Sequence, residues 1–252
     1  MPNYYVQPDA LCAAPAAAWA ERTDVLLGRD TLFCQKAAQH LQPFPVCQRE
    51  FFPRLAQKLG RVGNISCDVA PTNALKRLPD IAARPPVSSS DAAVVKYLLI
   101  TAGITGAGKL PAALASGGVV MLPRSFAHAY YEHALIPYVH YVPLWERGRD
   151  EDLADKLEWL AAEPEEAAAI GEAGRRVACT HLRAEGRAAY WRELLRRYAA
   201  SVLAYHVDDA LLARRNASVP LLAVTPATLT CDTLQAGNHC RWLGARVLAT
   251  PS

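Results

Sequence analysis

The stretch VVKYLLITAGITGAGKLPAALASGGVVML, residues 94–122, decides how the rest of the chain is read. Val94 to Ile100 is a short, mostly apolar run interrupted by Lys96, as expected of a strand in a largely buried sheet. Glycines 103, 106 and 108 then make a loop. Leu110 to Ala115 reads as a short helix, with Pro111 tolerated in its first turn and Gly117 as its stop. Val119 to Leu122 is the next strand, ended by Pro123. Strand, Gly-rich loop, helix, strand is the alternation of a parallel α/β unit.

Working outward, SFAHAYYEHAL (125–135) predicts a further helix and YVHYVPL (138–144) a strand that carries His140. Three helices should follow. The first, 151–162, places Leu153, Leu157 and Leu160 on one face. The second starts at Pro164, with Glu165 and Glu166 where carboxylates suit the positive end of the dipole. The third, about 185–204, has Trp191, Leu194, Leu195, Tyr198 and Val202 at helical spacing, and this stripe reads as core. Upstream, DVLLGRDTLF (24–33) reads as a strand, FFPRLAQKLG (51–60) as a short helix, and LPDIAARPPVSSSD (78–91) as a turn-rich linker. The expected division is therefore 1–90, 91–204, and a tail at 205–252 where the pattern fades.

Composition narrows the function classes. With 52% hydrophobic and 20% charged residues over 252 positions, the chain has enough apolar content for a folded core. A net charge of +3 without Lys/Arg blocks or interleaved aromatics argues against a nucleic-acid partner. No apolar run reaches the roughly 18 residues of a membrane span. The N-terminus lacks the basic start and long apolar core of a signal peptide, which fits a cytosolic protein or an incomplete N-terminus.

Cys12, Cys34, Cys47, Cys67, Cys179, Cys231 and Cys240 include no C-x-x-C pair and no zinc spacing. Their odd number leaves at least one thiol unpaired, and Cys231 and Cys240, flanking a short polar loop, are the expected pair in an oxidising compartment. Asn64 (N-I-S) and Asn216 (N-A-S) stand in acceptor triplets for N-glycosylation.

The 103–109 loop admits three readings. A loop between a strand end and a helix start is a natural anion site, because free N–H groups and the helix dipole both favour negative charge. Gly103 with Gly108-Lys109 also approximates a Walker loop, but Leu110 stands where the magnesium-binding hydroxyl belongs and Pro111 removes a donor. The third reading is a Gly-rich turn with Lys109 solvated. Elsewhere, His140 reads as a structural histidine, while His128 and His133 read as surface residues. Glu132 is a candidate for a ribose hydroxyl or, equally, for a dipole partner. Arg175, Arg176, Arg192, Arg196 and Arg197 read as solvated helix faces.

From about Lys96 to Leu203 the chain resembles the glycosyltransferase domain of the capsule-associated-protein type, glycosyltransferase family ninety, which includes the Rumi-type protein O-glucosyltransferases. The resemblance rests on VVKYLLITAG, LASGGVVML, YYEHALIPYVHYVPL, DLADKLEWLAAEPEEAAAIGEAGRRVACTHL and YWRELLRRYA taken together. It implies an α/β fold of GT-B type, with residues 91–204 as a Rossmann-like donor domain and 1–90 as an abbreviated acceptor-side part. It implies a UDP-sugar donor, glucose or xylose in class, and a hydroxyl acceptor on a protein or glycan. No metal cofactor is expected.

By the same resemblance the diphosphate is held by Gly103, Ile104, Thr105, Gly106, Ala107, Gly108 and Lys109. Lys109 stands where relatives carry arginine, and Ile100-Thr101-Ala102 replaces the family's Asn-x-Asp. Arg29 and Arg49 are candidate donor-side residues. The catalytic carboxylate is not assignable, since Asp24, Asp30 and Asp68 have no motif behind them. The resemblance implies the ER or Golgi lumen. The alternatives are a non-catalytic or truncated relative acting as a binding module and, more remotely, a P-loop-like nucleotide binder.

Overall fold

The computed structural model describes residues 8–32, 47–74, 79–102, 107–125, 127–146 and 152–203, together with the pairs 230–231 and 240–241. Two compact units divide the chain, Met1–Arg192 and Glu193–Ser252.

The first unit opens with α1 (Pro8–Ala13), followed by β1 (Thr23–Asp30), α2 (Gln48–Leu59), the hairpin β2 (Arg61–Val62) and β3 (Ile65–Pro71), and the short α3 (Ser89–Ala92). Then come β4 (Val95–Leu99), α4 (Leu110–Ala115), β5 (Val119–Pro123), β6 (Val142–Leu144), α5 (Leu153–Ala162) and α6 (Pro164–Val177). A π turn, Ala178–Leu182, leads into α7 (Ala184–Tyr198). The strands form one sheet in the order β2-β3-β1-β4-β5-β6. Only the β2–β3 pair is antiparallel; β3, β1, β4, β5 and β6 run parallel.

Both faces of this sheet are covered, and the sequence alternates accordingly. Leu26, Tyr97, Leu99, Val119 and Met121 pack with Phe52 of α2 and with Leu153, Leu157 and Leu160 of α5. Their neighbours Leu27, Leu98 and Val120 face the other way, onto Leu110 and Leu114 of α4 and Leu182. Successive side chains of a strand point to opposite faces, so a strand buried on both sides reads as a continuous apolar run. The one interruption, Lys96, pairs with Asp24 (Nζ–Oδ1 2.8 Å) and lies over the Trp19 ring.

The β1 strand and α2 lie where the sequence places them, and so do β4, α4, β5 and the three long helices. Gly117 takes φ +81°, which lets the chain leave α4 and turn into β5. Close by, Gly171 of α6 lies so near this turn that an added Cβ would sit 2.5 Å from the Gly117 carbonyl oxygen.

Four expectations need correction. The described residues of 125–135 form no α-helix; their regular part is one 3-10 turn, Glu132–Ala134. The carboxylate of Glu132 accepts from the Ala129 N–H at 3.0 Å, drawing the chain into a tight turn. The strand expected at 138–144 is confined to Val142–Leu144, and His140 belongs to the turn before it. The boundary at residue 90 does not separate two sheets, because β1 pairs with β3 on one side and β4 on the other. The Pro/Ser-rich stretch is a crossover between strands of one sheet, and composition alone does not tell the two apart. Finally, the helical stripe is not core: Trp191 and Tyr198 are 49% and 50% exposed, and α7 buries none of its residues.

Within the second unit, β7 (Thr230–Cys231) and β8 (Cys240–Arg241) form an antiparallel pair with Cys231 opposite Cys240. A disulfide that spacing did not indicate joins Cys12 in α1 to Cys179 in the π turn. Cys47 is also disulfide-bonded, and Cys67 is the free thiol among the described residues.

Candidate functional site

Strand order places the site. The chain steps from β1 out to β3, then returns across β1 to β4, so the crossovers diverge between β1 and β4. In an open α/β sheet, the crevice at the carboxyl ends of the strands flanking such a switch point is where ligands bind. Here those ends are Arg29 and Asp30 on β1, and Thr101 and Ala102 after β4.

A tight polar network holds this edge. The Asp30 carboxylate accepts from the Thr101 hydroxyl at 2.6 Å and from its N–H at 3.3 Å. Its other oxygen lies 3.2 Å from Lys109 Nζ, which also donates to the Arg29 carbonyl. Arg29 pairs with Asp68 at 2.6 Å, and Asp68 also pairs with Arg84. Arg49 reaches the same edge from α2, donating to the Thr31 carbonyl at 2.9 Å. The Nε atoms of Arg29 and Arg49 are buried without a hydrogen-bond partner among the described residues.

Gln48, 4% exposed at the start of α2, was not singled out by sequence reasoning. Its amide accepts from the Ala102 N–H at 3.1 Å and donates to the Arg124 carbonyl at 2.8 Å. It bridges the ends of β4 and β5 where the ladder stops, in a role that leaves no local signature. Arg22, also 4% exposed, does the same at the opposite edge, donating to Val95 O at 3.2 Å and Ser116 O at 2.8 Å.

Two hollows open at the carboxyl edge. One, of about 760 Å³, is lined by Ala102, Ala107, Arg124, His128, Glu132 and Glu146, at the ends of β4, β5 and β6. The other, of about 530 Å³, lies between the β1/β4 pair and α4; Arg29, Thr31 and Lys109 line it, with Leu27, Leu98 and Ala113 behind.

The candidates thus fall into two groups. Arg29, Arg49 and Lys109 gather around the end of β1. Ala107 and Glu132 line the larger cleft. Gly108 is exposed at the turn into α4, while Gly103, Ile104, Thr105 and Gly106 lie outside the described residues. Lys109 is not merely solvated, and Leu110, fully buried, packs inward.

Around the larger cleft, Glu132 is partnered by His128 Nδ1 at 3.1 Å as well as by Ala129. Burial, with Glu132 nearby, raises the Tyr131 and Tyr141 hydroxyls, which stay protonated and able to donate. His140 is structural: its Nδ1 accepts the Ile136 N–H at 2.9 Å, and burial, helped by Arg176, lowers its pKa. The expectation that Arg175 is only solvated is corrected, since it donates to the Ala14 carbonyl at 2.7 Å and to that of Ala115. In the second unit, Arg196 and Arg197 both pair with Glu193, whose pKa falls to about 2 under those hydrogen bonds.

A parallel sheet covered on both faces, with a crevice at its topological switch, defines a doubly wound, Rossmann-like domain. Residues 74–237, well over half of the chain, match the profile described as Glycosyl transferase family 90. The chain belongs to glycosyl transferase family 90.

Among curated relatives, Protein O-glucosyltransferase 2 of Danio rerio is 33% identical over 146 residues, covering 56% of this chain and 29% of that protein. The O-glucosyltransferase rumi homolog of Aedes aegypti is 30% identical over 103 residues, covering 41% and 26% respectively. The chain therefore spans less than a third of the length of either relative. A similar solved structure is HepE of Anabaena in complex with UDP and glucose, at TM-score 0.47 and 12% identity, covering 71% of this chain and 49% of that one.

Proposed function

We propose that this chain is the donor side of a glycosyltransferase of GT-B type. It binds a UDP-sugar at the carboxyl edge of the sheet, for transfer of glucose or xylose to a hydroxyl of a protein or glycan acceptor. The observation that carries this reading is the cleft of about 760 Å³ at the ends of β4, β5 and β6, inside a segment that matches the family. Its lining offers Glu132 for ribose hydroxyls and includes Ala107, two residues before Lys109. The 103–109 loop, with α4 behind it, would meet the diphosphate through backbone N–H groups. Lys109 would add charge, with Arg29 and Arg49 close by. No metal is required in this scheme, because fixed positive groups stabilise the leaving UDP. The disulfide of Cys12 with Cys179 supports an oxidising compartment such as the ER or Golgi lumen.

Titration with UDP, with and without magnesium, tests the reading. Saturable binding that is indifferent to magnesium is expected. No binding at millimolar UDP would end it.

One observation favours a second reading, a binding module without transfer activity. Asp24, Asp30 and Asp68, the carboxylates considered as a base, are all held in ion pairs. In that case the chain binds UDP yet neither transfers nor hydrolyses the sugar, and release of free sugar from a UDP-sugar by the purified chain would count against it.

A further inference from the structure

The edge of the sheet carries a chemistry that nucleotide binding does not use. β2 and β3 form a hairpin in which Val62 faces Ile65, leaving Gly63 and Asn64 as the two-residue loop. Gly63 takes φ +57°, and a Cβ added there would meet no atom within 4 Å beyond its chain neighbours. Ile65 is fully buried, which fixes the hairpin against the core, while Asn64 is exposed. Among the described residues the Asn64 side-chain amide makes no hydrogen bond; its carbonyl accepts a long one, 3.4 Å, from Arg61. Asn64-Ile65-Ser66 is the acceptor triplet for N-linked sugar.

We propose that Asn64 is N-glycosylated. The step joins Asn64 Nδ2 to C1 of an oligosaccharide carried on a polyprenyl diphosphate. The C1–O bond to the carrier breaks, the diphosphate leaves with the electron pair, and the amide gives up one proton. Three features on the molecule agree. The side chain has no partner to lose. The turn has room for a bulky group. The Cys12–Cys179 disulfide belongs to the oxidising conditions of the compartment where such carriers are used.

The fold also sets the timing. Ser66 stands in the ladder opposite Val25 of β1 and Arg61 of β2, so the triplet is accessible as an extended segment only before β3 joins the sheet. The attached sugar then lies beside β2, the edge of the sheet, where a free strand edge invites pairing with another chain.

The test expresses the full chain behind a cleavable secretory leader in animal cells, with Asn216→Gln introduced to remove the other triplet. Total protein from the secretory fraction is digested, and the Asn64 peptide is weighed before and after enzymatic glycan removal. The expected result is a sugar-bearing peptide in which Asn64 becomes Asp on removal. Asn64→Gln and Ser66→Ala should each abolish it, and Ser66→Thr should keep it. Because attachment precedes folding, the total pool reports even if a variant folds poorly. An unmodified Asn64 peptide in that pool would overturn the proposal, and would leave UDP binding untouched.

Discussion

Lys109 and Asp30 hold each other across the switch between β4 and β1, with Nζ 3.2 Å from Oδ1. The cation that the family resemblance assigns to the donor phosphates thus already has an anion. Asp30 is the more enclosed partner, at 13% side-chain exposure against 40% for Lys109.

If Lys109 must leave Asp30 to meet a phosphate, the two substitutions act with opposite signs. Lys109→Ala should weaken UDP binding by about 1–3 kcal/mol, the worth of a hydrogen bond to a charged group. Asp30→Asn, which keeps an acceptor for Thr101, should strengthen it several-fold. In the Lys109→Ala background that gain should vanish, since it depends on releasing the lysine; calorimetric titration of the four proteins closes the cycle.

Arg22 clamps the start of β1 to the strand and helix behind it, bonding the carbonyls of Val95 and Ser116 from a buried position. Burial, then the nearby Arg175, lowers its pKa, so the protein bears a cost to keep it charged there. Arg22→Met should lower stability by about 2–4 kcal/mol, because buried carbonyls lose their donors. Denaturant unfolding followed by circular dichroism measures the shift in midpoint.

Gly171 reverses a general rule. Gly→Ala inside a helix ordinarily stabilises by about 1 kcal/mol. Here the new Cβ would meet the Gly117 oxygen at 2.5 Å, so α6 must move off the turn it packs on. We expect Gly171→Ala to destabilise by about 1–3 kcal/mol, as over-packing does. A midpoint at or above that of the wild type would contradict this.

His140 makes stability depend on pH. Burial, followed by Arg176, lowers its pKa in the fold, so the unfolded chain binds the proton more readily. The stability it contributes is present above the unfolded value of about 6.5 and is lost as pH falls through the lower folded value. His140→Asn keeps an acceptor for the Ile136 N–H but does not titrate. Between pH 7 and pH 5 the melting temperature of the wild type should fall further than that of the variant.

Much of the frame was legible because burial on both faces leaves a mark on sequence. Leu26 and Leu27, or Leu98 and Leu99, could both be apolar only in a sheet covered twice. Leu153, Leu157 and Leu160 marked a helix face that is fully buried. The same spacing misled at Trp191 and Tyr198, since periodicity reports that a face is apolar, not that anything covers it. Residues 125–135 misled because aromatic content resembles a packed helix, whereas Tyr130 instead stacks on Tyr190, 4.5 Å between centroids. For the site, the turn of Gly108 and Lys109 could be read locally. The partnership of Lys109 with Asp30 could not, nor could the bridges made by Gln48 and Arg22, because each joins groups far apart in the chain through single hydrogen bonds.

The bond between Cys12 and Cys179 spans 167 positions, and it turns everything between them into a covalent ring. Residues 82–86, exposed between β3 and α3, are a natural place for a protease to cut that ring. One cut there would produce new ends but no separate pieces. The clipped protein should migrate as a single species until reductant is added and then as two. Its sheet, still threaded through an unbroken link, would have become a circular permutant in all but its original termini.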